Sequence, residues 1–165
     1  MDLTATTELK LAPRKAWAEL TDFAAFEKLL RERGAELTRS ATPDPPGVGT
    51  RWEGAFDYSG KRRDVSAGLV ALDPERSMTF ELQSAGLAGR AEVTLEQLAA
   101  KRCRVDLALH LEARTLRARL FLQPLKLAHA TLEQRLSARL DRIARAIESR
   151  QQKRVARAGR GGSSL

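Results

Sequence analysis

Thr115 to Arg150 reads TLRARLFLQPLKLAHATLEQRLSARLDRIARAIESR, the only long segment of this 165-residue chain with a sustained helical period. At about 100° per residue, Leu125, Ala128, His129, Leu132, Leu136, Leu140, Ile143 and Ile147 fall in one stripe. Gln134, Asp141, Arg142 and Arg145 fall on the other side. From Pro124 to Ile147 such a helix spans roughly 35 Å. A helix of that length with one apolar face needs an apolar surface to lie on, and the rest of the chain must supply it. Pro124 interrupts the pattern, so either Leu116 to Gln123 forms a separate turn or the helix kinks at the proline. Leu120, Phe121 and Leu122 point to three successive sides of the helix. Part of that run is expected to line a portal or a dimer contact.

Upstream, the apolar period is two. Leu3, Ala5, Thr7, Leu9 and Leu11 alternate with polar residues, as in a half-buried strand. Pro13 then opens a short helix, and Asp22 caps a second in which Phe23, Phe26, Leu29 and Leu30 share a side, with Gly34 as its stop. Residues 35–40 form a weak strand before the breaker-rich loop 42–49. Beyond it, Trp52, Gly54, Phe56 and Tyr58 share one face. So do Val65, Ala67, Leu69 and Ala71; Met78, Phe80 and Leu82; Ala91, Val93 and Leu95; and Cys103, Val105, Leu107, Leu109 and Leu111. Ser59-Gly60 is a hairpin signal. One-sided strands on short turns make an antiparallel sheet with one apolar face. The first strand has no hairpin partner and is expected to pair with the last, closing a seven-stranded curved sheet. The long helix lies across that sheet, an α+β arrangement.

The length suits one domain, placed at residues 1–150, with a basic, disordered tail at 151–165. The single Cys103 excludes an intrachain disulfide and fits a reducing compartment. No signal pattern or membrane-length apolar run is visible, so the expected location is cytoplasmic. The net charge of +8 is unevenly placed: residues 1–114 hold 17 Lys/Arg and 18 Asp/Glu, while residues 115–165 hold 12 and 3. The basic end suggests an anionic surface as a peripheral partner, such as the inner face of a membrane, through Arg150, Lys153, Arg154, Arg157 and Arg160. The plainer reading is a solvated helix face with a basic end. Nucleic acid is disfavoured because no aromatic residues interleave with that tail.

The element order resembles the START/birch-pollen-allergen superfamily, also called SRPBCC, whose fold is the helix-grip. The resemblance rests on the first strand and the following Ala12-Pro-Arg-Lys-Ala-Trp-Ala-Glu-Leu-Thr-Asp-Phe-Ala-Ala-Phe26. It also rests on Gly47-Val-Gly-Thr-Arg-Trp52 and on the long C-terminal helix. It implies a hydrophobic cavity between sheet and helix holding an apolar small molecule, as lipid carriers and polyketide cyclases of that superfamily do.

The candidate lining is Trp52, Phe56, Tyr58, Met78, Phe80, Leu107 and Leu109 from the sheet, with Leu125, His129 and Leu132 from the helix. Each of these is also what a plain core would contain. No metal-ligand set, glycine-rich phosphate loop or nucleophile motif is present, and neither a cofactor nor a catalytic residue is assigned. His129 reads either as a polar group facing the ligand or as a helix-edge residue bonded to a strand carbonyl. The second is preferred, because no carboxylate at a fixed spacing orients the ring. The leading function is therefore non-catalytic binding or transport of a lipid-, quinone- or polyketide-like molecule. The alternative is a cyclase or aromatase using His129 and Tyr58.

Overall fold

The computed structural model describes residues 1–43 and 47–161. Residues 44–46 of the breaker-rich loop, and 162–165 of the tail, lie outside the described residues. In chain order the elements are β1 (Asp2–Leu9), α1 (Pro13–Leu20), α2 (Phe23–Glu32), β2 (Glu36–Ala41), β3 (Arg51–Tyr58) and β4 (Lys61–Asp73). Then follow β5 (Ser77–Ser84), β6 (Leu87–Ala99), β7 (Arg102–Ala113), α3 (Leu116–Leu127) and α4 (His129–Gly161).

The strands form one antiparallel sheet in the order β1-β7-β6-β5-β4-β3-β2. The first strand pairs with the last, as the alternation required, setting Leu3 opposite Leu109 and Leu9 opposite Cys103. Two of the hairpins close on two-residue loops with positive φ at both positions, Ser59-Gly60 (φ 52° and 71°) and Ala85-Gly86 (φ 42° and 81°). Positive φ at both central residues is the type I′ geometry whose twist matches that of paired strands. The register slips between Leu69 and Ala71 of β4. That bulge moves the inward phase by one, so Leu72 packs against the core while Ala71, expected inside, is exposed. Local signals hold elsewhere: the Asp22 carboxylate accepts from the Ala25 N–H at 3.1 Å, and Gly34 takes φ 90° just beyond α2.

Pro124 sits inside α3, and the break comes four residues later at Ala128 (φ −97°, ψ 19°). The Ala128 N–H reaches the carbonyls of both Pro124 and Leu125 at 3.2 Å. The helix therefore breaks neither before nor at the proline, but one turn after it. Leu122 is buried, Phe121 half-buried and Leu120 exposed, so the apolar run divides among three environments.

Beyond the break, α4 runs beside β1, the sheet edge that has no further strand to pair with. Side chains of α4 take the backbone groups that a neighbouring strand would take. The N–H groups of Thr4 and Lys10 donate to Glu133 at 3.0 Å and Glu148 at 2.9 Å. The carbonyls of Asp2 and Glu8 accept from His129 at 2.7 Å and Arg145 at 2.6 Å. The edge is thus covered, which removes a template for strand addition. The apolar stripe of α4 meanwhile supplies Ile143, Ala144 and Ile147 to the core with Leu9, Trp52, Leu69, Met78 and Cys103.

The helix does not end at Arg150. It continues to Gly161, through most of the segment expected to be disordered. Its first added turn is anchored by Glu19 of α1, whose side chain is 1% exposed and is bridged by Arg150 Nε and Arg154 Nη1, both at 2.7 Å. A second Arg154 nitrogen reaches Asp22 at 3.1 Å. A buried carboxylate needs such partners, and they hold the turn from Arg150 to Arg154 in place.

Candidate ligand cavities between sheet and helices

The sheet's inner face and the helices do not meet along their whole length, and among the described residues two mainly apolar cavities lie between them. The first, of about 310 Å³, lies beneath α2 and is walled by Phe23, Phe26, Trp52, Met78, Phe80, Val93, Leu107, Leu140 and Ile143. Trp52 is fixed edge-on to Phe23, with ring centroids 5.4 Å apart, and lies 6.0 Å from Phe80. The single ionisable lining residue is Glu27, and it is already occupied. One carboxylate oxygen accepts from Trp52 Nε1 at 2.9 Å and from Arg39 Nε at 2.6 Å. Burial alone would raise the Glu27 pKa, but the bonds from Arg39 and Trp52 and the nearby charge of Arg31 hold it below the usual carboxylate range.

The second cavity, of about 340 Å³, lies at the α3 end. Phe56, Tyr58, Leu82, Leu109 and Leu111 wall it from the sheet, and Phe121, Leu125 and Leu132 from the helices. Tyr58 stands edge-on to Phe121, with centroids 6.0 Å apart. Both volumes fall near the lower end of the ~300–1,000 Å³ typical of small-molecule pockets.

The candidate lining therefore divides between two spaces. Trp52, Met78, Phe80 and Leu107 belong to the first; Phe56, Tyr58, Leu109, Leu125 and Leu132 belong to the second. His129 belongs to neither. The stripe that placed it inward assumed an unbroken phase from Leu125, and the break at Ala128 resets that phase. Its Nε2 faces the Asp2 carbonyl, so that nitrogen carries the proton, and Glu133 stands 3.4 Å away as a carboxylate the spacing argument had overlooked. It is the helix-edge histidine of the plainer reading. Cys103 is wholly buried, its thiol donates to the Leu11 carbonyl at 3.3 Å, and burial raises its pKa.

Two residues of the basic group nominated for an anionic surface, Arg150 and Arg154, are committed to Glu19. Lys153 and Arg157 are exposed on the final turns. The sequence reading missed Arg63, which lines the second cavity, although its even spacing from Val65, Ala67 and Leu69 was a signal that it faces inward.

The model of the family "Polyketide cyclase / dehydrase and lipid transport" matches residues 1–148, and the chain belongs to that family. Its fold is that of the START/SRPBCC superfamily. Among solved structures, the ZhuI aromatase/cyclase from Streptomyces sp. R1128 is similar at a TM-score of 0.66 and 16% identity, covering 94% of this chain and 95% of that one. Norcoclaurine synthase from Thalictrum flavum, bound to a transition-state analogue, is similar at 0.65 and 12%, covering 92% and 96%. A START superfamily protein from Mycobacterium smegmatis is similar at 0.56 and 12%, covering 84% and 95%. No curated protein matches by sequence. At these identities the structural likeness shows the fold alone.

Proposed function

We propose that the protein binds and carries a hydrophobic small molecule in the space between sheet and α4, performs no chemistry on it, and exchanges it at an anionic membrane surface. The observation that carries this reading is the lining of the first cavity, whose one ionisable group, Glu27, is engaged through one oxygen by Arg39 and Trp52 and is held in its ionised form. A site for moving protons needs an unoccupied acid or base within reach of the substrate. The aromatase/cyclase likeness favours an enzyme as the second reading, but His129 lies outside both cavities and Tyr58 is left as its nominee. Native mass spectrometry of freshly purified protein tests the binding clause. An apolar molecule released on denaturation supports it; protein that carries none and takes up none from added lipid extract contradicts it.

The membrane clause rests on α3. Leu116, Leu120 and Leu127 form an exposed ridge, with Leu127 92% exposed. Arg117, Arg119 and Lys126 flank the ridge, α3 contains no acidic residue, and Arg114 lies just before it. Such a helix suits a headgroup boundary, where each basic residue contributes about 1 kcal/mol toward anionic lipid. The same helix walls the second cavity through Phe121 and Leu125, so the surface that would touch the membrane is also the cavity's side. Co-sedimentation with phosphatidylserine vesicles, lost in Leu120→Asp, is the expected result. Equal binding to neutral vesicles, or a solution dimer burying the ridge, contradicts it.

A further inference from the structure

We infer that the second cavity is an oxyanion site, in which Arg63 seats the carboxylate of an amphiphile whose apolar chain fills the cavity; this rests on the cavity-binding reading above. Strand β4 carries two consecutive arginines, and the pleat sends them to opposite faces. Arg62 faces outward and is paired with Glu36 and Asp64. Arg63 faces inward and is not paired. Its Nε is sealed from solvent and has no hydrogen-bond partner among the described residues, and none of their carboxylates lies within ion-pair distance.

The contrast with the other interior charges is sharp. Glu27 has Arg39, and Glu19 has Arg150 and Arg154. Arg63 is half-buried and an arginine cannot shed its proton, so a guanidinium partly withdrawn from water with no carboxylate beside it favours an anion. The cavity supplies none, since its lining contains no Asp or Glu. It adds a second cation instead, Arg117 of α3. The Arg63 guanidinium lies over the Phe121 ring at 4.5 Å from the centroid, which holds its plane. A carboxylate meets a guanidinium fork with two oxygens, and the end left open to it here is the Nη pair, since the Nε is sealed. Beyond the head group, Leu109, Leu125 and Leu132 offer only apolar surface. The chemistry this selects is a single planar anion at the end of a hydrocarbon chain.

The test is calorimetric titration with decanoate, decanol and decyl phosphate, on the wild type, Arg63→Met and Arg63→Lys, with melting curves to check folding. The wild type is expected to prefer decanoate over decanol by roughly ten- to a hundredfold, the span of a charge-assisted hydrogen bond. Arg63→Met is expected to lose that preference while keeping its decanol affinity, and Arg63→Lys to keep part of it. Wild type that binds decanol and decanoate equally overturns this inference and leaves the carrier reading standing. So does decyl phosphate bound more tightly than decanoate, which would assign the site to a phosphate head group. If none of the three binds, both readings fall together.

Discussion

Replacing Glu19 by Gln removes the charge that pins the turn from Arg150 to Arg154 to α1. The Glu19 side chain is 1% exposed, Arg150 28% and Arg154 51%. Breaking a buried ion pair by removing one partner costs about 3–5 kcal/mol, because the other charge is left buried and unpaired. Here the Arg150 half carries nearly all of that cost. Arg154 is half in water and retains Asp22 at 3.1 Å, so its loss is screened to well under about 1 kcal/mol. The expected destabilisation is therefore near the low end, about 3 kcal/mol. For a domain of this size it lowers Tm by about 6–12 °C. Urea unfolding followed by circular dichroism measures it, and a cycle with Arg150→Met isolates the pair. In that cycle Glu19→Gln should cost much less once Arg150 is gone. A Glu19→Gln cost below about 1 kcal/mol, or additive single changes, would refute the claim that this pair holds that turn in place.

Further outcomes follow from single residues. The Glu27 pKa is lower in the folded protein, so its contribution is full above the unfolded carboxyl's pKa and is lost as pH falls through the folded value. Stability measured against pH should fall on the acid side, and Glu27→Gln should flatten that limb; an unchanged limb contradicts the assignment. Gly60→Ala is expected to cost about 1–2 kcal/mol through its positive φ alone, since nothing lies within 4 Å of the added Cβ. Gly86→Ala should cost clearly more, because the new Cβ falls 2.5 Å from Thr115 Oγ1, the cap of α3. Equal urea midpoints for the two would remove that contact from the account. Cys103 should resist a thiol reagent in the native state and react fully in denaturant; rapid native labelling would contradict its burial.

Much of the fold was legible because each strand buries one face and shows it in alternation. Leu3 to Leu9 announced a half-buried strand that pairs with the last, and Asp22 and Gly34 announced the limits of α2. The errors arose where one local event shifts a phase. The bulge after Leu69 exchanged Ala71 for Leu72, and the break at Ala128 turned His129 from the cavity to the edge of β1. Period alone cannot register a bulge or a break, since both depend on how the neighbouring strand or helix packs. The ordered tail was hidden for another reason. Its partner, Glu19, lies more than a hundred residues away, and nothing near Arg150 indicates it. The site was half legible: the aromatic lining could be read, but its division into two cavities and the isolation of Arg63 needed coordinates. Arg63 had the right parity and was passed over because an arginine reads as solvated by default.

The central claim is that the space between sheet and α4 is a binding site and not merely imperfect packing. Titration with a neutral naphthylamine dye tests it most directly, using the wild type, Ala67→Phe to fill the first cavity, Leu109→Trp to fill the second, and the double variant. The account predicts saturable fluorescence enhancement in the wild type. It predicts a weaker response in each single variant and none in the double variant, with all four proteins showing cooperative unfolding. Dye that does not bind the wild type, or that binds the folded double variant as well as the wild type, would contradict it.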